Sequence, residues 1–323
     1  MKAWLLWMHR WIALIFAVPL AVVIVTGLIL SFEPMAVVNG IKPASLTTER
    51  MLALIDQHDP RGEATRISVQ HYNGTLTLQG EDRVSIDLAT GSRAEARSEL
   101  SDLFRSSRRM HERLVGDLGW LVEASTIVML VLAALGLWLG FPRLRNTLAN
   151  WHKGLAWSLL PLIVISPLSG LGILYGISLA SPPPAEARGP LPANLKESIR
   201  IIGARHDLSA LVSLRKRGKR QIARIVENGE YRNYAVTRAG TVAMPRNWPR
   251  LVHEGNWWGN VSALVNIITS VALVGLLFTG VYAWLWRISS DAEATAAACG
   301  SEILRPLSMS RNDRPCDQGS THP

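Results

Sequence analysis

The chain has 323 residues, a formal net charge of +9 and 48% hydrophobic residues. That length would allow two soluble domains, but long stretches without any charged side chain exclude a purely soluble protein. The basic excess indicates arginines near a membrane rather than nucleic-acid binding, because no nucleic-acid recognition motif accompanies it.

Four apolar segments are predicted to cross a membrane as helices. About 20 apolar residues span the hydrocarbon, and a lone segment satisfies its backbone there only as a helix. The segments cover residues 11–32, 124–141, 154–180 and 255–286. The first is longer than the apolar part of a signal peptide, about 7–15 residues, and Ser31-Phe32-Glu33-Pro34 is no cleavage site, so we expect a retained anchor.

The spans divide the chain into eight parts. We expect four transmembrane helices, at residues 1–33, 111–142, 152–180 and 253–287. Two small α+β extracytoplasmic domains are expected at residues 34–110 and 181–252. A cytoplasmic connector at residues 143–151 and a disordered cytoplasmic tail at residues 288–323 complete the division.

Charge sets the predicted orientation. An even number of spans puts both termini on one side, and the connector carries Arg143 and Arg145 without any acid, which favours the cytoplasm. Several arginines outside the second span oppose this orientation, but they lie in a loop longer than about 60 residues, where the rule loses force. Cys299 and Cys316 lie in the predicted cytoplasmic tail, where disulfides are rare, and receive no role.

The chain reads as one unit repeated twice. His9 precedes Gly27 by eighteen residues, and His152 precedes Gly170 by the same interval. Pro19 interrupts the first of these spans at nearly the depth where a proline interrupts the third. Because both units start on the cytoplasmic side, they are parallel repeats, related by an axis along the membrane normal.

The two loops between the spans share a pattern of one helix and three strands. We predict helices at residues 47–59 and 194–207. The predicted strands are residues 65–71, 75–79, 83–88, 211–214, 221–226 and 231–237. Asn73-Gly74 and Asn228-Gly229 are typical of tight hairpin turns, and the basic run at residues 215–220 is interpreted as a solvated hairpin tip.

Four histidines lie beside the four spans: His9, His111, His152 and His253. Repeat symmetry would place His9 opposite His152 near the inner leaflet, and His111 opposite His253 near the outer leaflet. Imidazoles in this arrangement are candidates for axial haem ligation, with another metal site or structural hydrogen bonds as alternatives. A straight helix would leave His253 about 30 Å from the middle of its span. The hypothesis therefore needs helix breaks at Gly116 and Gly119 in the first half, and at Gly255 and Gly259 in the second.

Other residues receive less specific interpretations. His58, His71, His206 and His322 are interpreted as surface or hydrogen-bonded residues. Glycines in the spans either make room for a porphyrin or pack helices closely; they are Gly27, Gly136, Gly170 and Gly280. Asn260, Asn266 and Thr279 are expected to form hydrogen bonds between helices.

The sequence resembles the PepSY-associated transmembrane family. The similarity rests on His9-Arg10-Trp11, the lead-in His111 to Leu114, Trp151-His152-Lys153-Gly154 and Leu251-Val252-His253-Glu254-Gly255, with two loops that resemble small PepSY domains. It covers the chain to about Arg287. Lys153 stands where arginine would be usual, and Glu254 replaces a small residue.

The resemblance implies an inner-membrane b-type cytochrome with two haems, one held by His9 and His152 and the other by His111 and His253. Such a protein passes electrons from a cytoplasmic donor or quinol to a ferric siderophore in the periplasm, and reduction to Fe(II) releases the iron. The alternative is a haem-free membrane scaffold or sensor whose PepSY domains bind a protein partner.

Overall fold

The computed structural model describes residues 2–94, 98–142 and 145–303, and their side chains as far as residue 290. The helices are α1 Lys2–Ile15, α2 Ala17–Ser31, α3 Glu33–Gly40, α4 Thr48–His58, α5 Glu99–Arg113, α6 Gly119–Trp138, α7 Leu148–Ser158, α8 Leu160–Leu174, α9 Leu195–Gly203, α10 Trp248–Glu254 and α11 Gly259–Ile303. The strands are β1 Arg66–Gln70, β2 Thr75–Gln79, β3 Arg83–Asp87, β4 Leu211–Arg217, β5 Arg220–Glu227, β6 Glu230–Thr237 and β7 Gly240–Ala243.

Three helical segments of the described chain are long and apolar enough to cross a membrane: Ala17–Gly40, Gly119–Trp138 and Gly259–Ser290. A fourth arises if α7 and α8, which meet at a bend of 64°, count as one span. The prediction of a membrane protein with several apolar helices is therefore confirmed. Four continuous spans are not what the structure has.

Two prolines explain the breaks in the first and third predicted spans. A proline ring collides with the carbonyl four residues earlier and offers no N–H. Pro19 lies four residues after Ile15, where α1 ends, and Pro161 lies four residues after Trp157, at the end of α7. The break places His9 and His152 on separate short helices ahead of α2 and α8. The connector predicted at residues 143–151 is also wrong in part, because α7 begins at Leu148.

The predicted helices at residues 111–142 and 253–287 are wrong at their outer ends. α5 ends at Arg113 and α6 begins at Gly119, with positive φ angles at Leu114, Gly116 and Asp117 between them. α10 ends at Glu254, and Gly255 and Gly259 both have positive φ before α11. Glycine adopts this conformation without a Cβ clash. The breaks required by the haem hypothesis are therefore present.

The expectation of two separate extracytoplasmic domains is corrected by the sheet. All seven strands of the described chain form one antiparallel sheet in the order β3-β2-β1-β4-β5-β6-β7. β1 and β4, the first strand of each half, pair directly, with Ser68 opposite Ser213. One hydrophobic core under this sheet takes buried side chains from both halves, including Met51, Ile67 and Leu214.

The turns follow the local sequence with one exception. Asn228 and Gly229 both have positive φ and close a two-residue hairpin between Glu227 and Glu230, as predicted. Asn73-Gly74 instead ends a longer turn, because residues 71–73 form a 3-10 turn and Gly74 alone has positive φ. β7, a strand of four residues, was not predicted.

The predicted disordered tail is wrong for residues 288–303, because α11 continues to Ile303. The chain divides into two compact units at Val281–Tyr282, and the described part of the second unit is helical. Predictions for Cys299, Cys316 and His322 concern side chains outside those that the structure describes. Arg143, used for the orientation, also lies outside the described residues.

Candidate functional site

The structure brings the four span-associated histidines together as two pairs. His9 on α1 faces His152 on α7, with ring centres 6.5 Å apart and ring planes at 87°. His111 on α5 faces His253 on α10, with ring centres 6.0 Å apart and planes at 44°. Each pair therefore contains one imidazole from each half of the chain.

His111 is held through one ring nitrogen. Its Nδ1 lies 2.9 Å from the carbonyl oxygen of Val23 and 3.3 Å from Oγ1 of Thr26, both on α2. Because a carbonyl oxygen can only accept, Nδ1 carries the proton and donates. The tautomer that results leaves the lone pair on Nε2, which makes no hydrogen bond to a described residue.

His253 repeats this arrangement in the second half. Its Nδ1 lies 3.1 Å from the Ser166 carbonyl oxygen and 3.2 Å from Oγ of Ser169, both on α8. The carbonyl and the hydroxyl are three residues apart, as Val23 and Thr26 are in α2. The two halves thus orient their outer histidines by the same local device.

Glycine makes this close approach possible. A Cβ added at Gly27 would lie 3.1 Å from Cε1 of His111, and one added at Gly170 would lie 3.0 Å from Cε1 of His253. Both distances are shorter than ordinary van der Waals contact. These two glycines let α5 and α10 pack closely enough against α2 and α8 for the imidazole rings to fit, which agrees with the close-packing interpretation.

The inner pair is held asymmetrically. Nδ1 of His152 lies 2.8 Å from Oγ1 of Thr279 on α11, and that hydroxyl donates to the Gly275 carbonyl, so it accepts from the imidazole. Nδ1 of His9 is buried and makes no hydrogen bond of standard geometry among the described residues. The two halves differ here because Leu135, which has no hydroxyl, occupies the position in the first half that matches Thr279 in the second.

A buried group of charges anchors α10 next to the outer pair. Glu254 binds Arg250 at 2.8 Å on the same helix and approaches Arg224 of β5 at 3.7 Å. Burial favours the neutral acid, but these guanidinium groups hold the pKa of the Glu254 carboxyl below its usual value. Glu254 thereby ties the helix that carries His253 to the sheet.

A matching ion pair lies in the first half. Arg108 on α5 forms a salt bridge with Glu33 at the start of α3. Since His111 follows Arg108 by one turn, this pair connects the histidine helix to the end of the first membrane span. Such partly buried pairs position elements more than they stabilise them.

The two pairs lie at different depths along the same helical path. His111 contacts Gly27, which follows His9 by eighteen residues, and a straight helix of that length would measure about 27 Å. The helix breaks after α5 and α10 bring the outer histidines to the depth of the spans, because His111 contacts Val23 and Gly27 within α2.

The remaining histidines of the sheet region are hydrogen-bonded, as predicted. His58 and His71 contact the carbonyls of Gly91 and Leu211 through Nε2, and His206 contacts Glu227 and Thr241. The three residues expected to bond between helices do so: Asn260 to Asn39, Asn266 to the carbonyl of His253, and Thr279 to His152. No group of three or more potential metal ligands occurs among the described residues.

Sequence reasoning missed the residues that orient the outer histidines. They are Thr26 and Ser169, and the available signal was a hydroxyl residue directly before the glycine that marks the repeat in each half. The Glu254 contacts were also missed, because their partners lie far apart in the chain.

Comparison with known proteins assigns the chain to a family. The family model described as the PepSY-associated TM region matches residues 6–287 of the chain. The chain belongs to the PepSY-associated transmembrane family. The matched region begins just before His9 and ends at Arg287, so all four span-associated histidines of this PepSY-associated protein lie inside it. A search of curated proteins found no significant match.

Proposed function

We propose that this PepSY-associated protein is a transmembrane b-type cytochrome that binds two haems and reduces a ferric siderophore. The observation that carries the proposal is the pairing of four imidazoles, one from each half in each pair, at 6.5 and 6.0 Å between ring centres. One pair would serve the cytoplasmic side and the other the periplasmic side.

The spacing suits two axial ligands on one iron. Metal–imidazole bonds are about 2.0 Å long and an imidazole ring has a radius of about 1.1 Å, so opposed ligands place their ring centres about 6.2 Å apart. The observed values bracket this distance. Aromatic rings in edge or offset contact also have their centres about 4.5–7 Å apart, so the distances fit ligation and the ligand set itself carries the assignment.

The surrounding groups suit ligation through Nε2. Nδ1 of three of the four histidines is engaged by backbone carbonyls or hydroxyls, which orients each ring and increases the basicity of Nε2. Haem, when bound, supplies reversible one-electron chemistry, and two imidazole ligands leave no open position for oxygen. The protein sets the position of the cofactor and its solvent exposure.

The direction of electron flow follows from the proposed topology. Both termini would be cytoplasmic in the bacterial inner membrane, so His9 and His152 would face a cytoplasmic donor or quinol. His111 and His253 would face the sheet and the periplasm. A ferric chelate there would accept electrons, and iron would be released because hard oxygen donors hold Fe(III) better than Fe(II).

Substitution of single ligands tests the proposal. We expect His152→Ala and His253→Ala each to reduce the haem content of the purified protein by about half, because each removes one of two axial ligands. His58→Ala, which changes a histidine hydrogen-bonded in the sheet region, is the control and should retain full haem content. The measurement is haem per chain by visible spectroscopy, with a dithionite-reduced spectrum.

The same spectra decide between this function and the haem-free scaffold. Sharp α and β bands on reduction, lost in part in each variant, support the cytochrome. A colourless wild-type protein, or full haem content in both variants, would count against it.

A further inference from the structure

A cavity of about 410 Å³ is lined in part by α10, the helix that carries His253. Its walls are the β4–β5 hairpin, the segment after α8 around Ser178, and the start of α10 at Asn247 and Arg250. The volume lies within the range of small-molecule sites, about 300–1,000 Å³.

Positive charge dominates the lining. The charged residues that face the cavity are all arginines: Arg215, Arg217, Arg220, Arg224 and Arg250. Arg224 and Arg250 share Glu254, which lies outside this lining. Arg215, Arg217 and Arg220 make no salt bridge with any acid in the described parts of the chain.

The electrostatic environment of the cavity favours the binding of a negatively charged group. Burial and the neighbouring guanidinium groups, above all that of Arg224, lower the pKa of Arg215 from its ordinary value. Like charges gathered in a partly enclosed space repel one another unless an anion joins them. The β4–β5 hairpin, whose tip is Gly218 and Lys219, keeps these three arginines together on the cavity lining.

The cavity is close to the site of the proposed electron transfer. Arg250 lines it, and His253 follows Arg250 by three residues on α10, or about 4.5 Å along the helix axis. The same short helix therefore carries one part of the cavity lining and an outer histidine.

We propose that this arginine cavity binds a multiply charged oxyanion, presenting carboxylate or phosphate oxygens, at the outer face of the membrane. Arginine suits such groups because its planar guanidinium donates two parallel hydrogen bonds to a carboxylate or phosphate. The role of this cavity as the acceptor site rests on the function proposed above. In that case the chelate that is reduced is anionic rather than neutral or cationic.

Binding of gallium(III) citrate to the full-length protein in phosphatidylcholine nanodiscs tests the proposal. Gallium(III) takes the place of iron(III) but accepts no electron under these conditions, so binding is independent of haem content. We expect saturable binding that Arg215→Gln/Arg217→Gln/Arg220→Gln weakens at least about tenfold, and that weakens with rising ionic strength.

The control removes three cations of the same region that do not line the cavity. Lys219 lies at the tip of the same hairpin, and Arg61 and Arg93 are exposed in the first half of the sheet region. Lys219→Gln/Arg61→Gln/Arg93→Gln should change the affinity by no more than about twofold. If the triple cavity variant does not fold, Arg217→Gln alone, at an exposed position, should still weaken binding about threefold.

Nanodiscs containing phosphatidylglycerol distinguish the source of the anion. Suppose that the wild type retains this lipid, that the cavity variant does not, and that neither binds gallium citrate. This result would support the oxyanion site and overturn its assignment to the acceptor. Unchanged affinity in the cavity variant, or equal losses in the control, would overturn the site itself. A colourless protein that still binds gallium citrate would contradict the cytochrome and leave the cavity proposal standing.

Discussion

At the scale of the residue, the outer site depends on a few atoms that set the direction of each imidazole. A carbonyl and a hydroxyl one turn of helix apart take the proton of Nδ1, and a glycine one residue later leaves room for the ring. The device is complete in both halves at the outer pair. At the inner pair only His152 has a hydroxyl partner, so His9 is the less constrained of the two inner rings.

Gly170→Ala tests the steric part of this device. The new Cβ would lie 3.0 Å from Cε1 of His253, so the ring must shift away from residue 170 and out of its present position. We expect haem content to fall toward one per chain, with the inner haem retained. Gly154→Ala is the control, since its Cβ would meet nothing within 4 Å and alanine favours a helix. Equal haem content in both variants, measured by visible spectroscopy, would show that ring position is unimportant.

At the scale of the element, the outer histidines are placed by short helices that end abruptly. α10 ends at Gly255 in the left-handed conformation, and the side chain of Asn266 caps its last carbonyls by donating to Val252 and His253. α5 ends before a comparable turn at Gly116. Without these helix ends, α5 and α10 would continue as straight helices and hold their histidines farther from the membrane.

Gly255→Ala should be more damaging than Gly116→Ala. Both changes force a side chain into positive φ, which costs about 1–2 kcal/mol, but a Cβ at 255 would also come within 2.8 Å of Nδ2 of Asn266. At 116 the added Cβ meets nothing within 4 Å. We expect a lower thermal unfolding midpoint for Gly255→Ala than for Gly116→Ala, and a loss of outer haem in the former only. A reversed order would exclude the cap as the cause.

At the scale of the whole molecule, the two halves share one sheet and one core. β1 pairs with β4 about Ser68 and Ser213, the arrangement that a twofold relation between the halves produces. Buried side chains of the first half, such as Ile67, pack in the same cluster as Leu211 and Leu214 of the second. The sheet therefore holds the two halves in register above the paired histidines.

Leu214→Ala tests whether the sheet region unfolds as one unit. The side chain is fully buried at the junction of the halves, and its truncation should lower the free energy of unfolding by about 2–5 kcal/mol. Leu103→Ala, which shortens an exposed leucine on α5, should cost less than about 1 kcal/mol. Urea unfolding followed by circular dichroism is the measurement. Two separate transitions in the wild type, with only one shifted in Leu214→Ala, would contradict a shared core.

Local pattern was sufficient for most elements and insufficient for their connections. The strand at residues 75–79 and the Asn228-Gly229 turn were predicted correctly, because alternation and turn chemistry act over a few residues. The helix breaks that the haem hypothesis required beside the outer histidines are present at Gly116 and Gly255, where glycine permits positive φ. The single sheet was missed, because strand pairing between β1 and β4 joins residues more than 140 positions apart.

Hydropathy and the repeated histidine interval were by themselves enough to predict a membrane protein with paired imidazoles as the candidate site, since both depend on the order of residues in the chain. The tertiary structure alone decided which atoms hold each outer ring, that Gly27 and Gly170 leave room for the imidazoles, and that arginines from one hairpin and one helix line a cavity. These features depend on distances between elements, and such distances follow from packing that no local sequence pattern encodes.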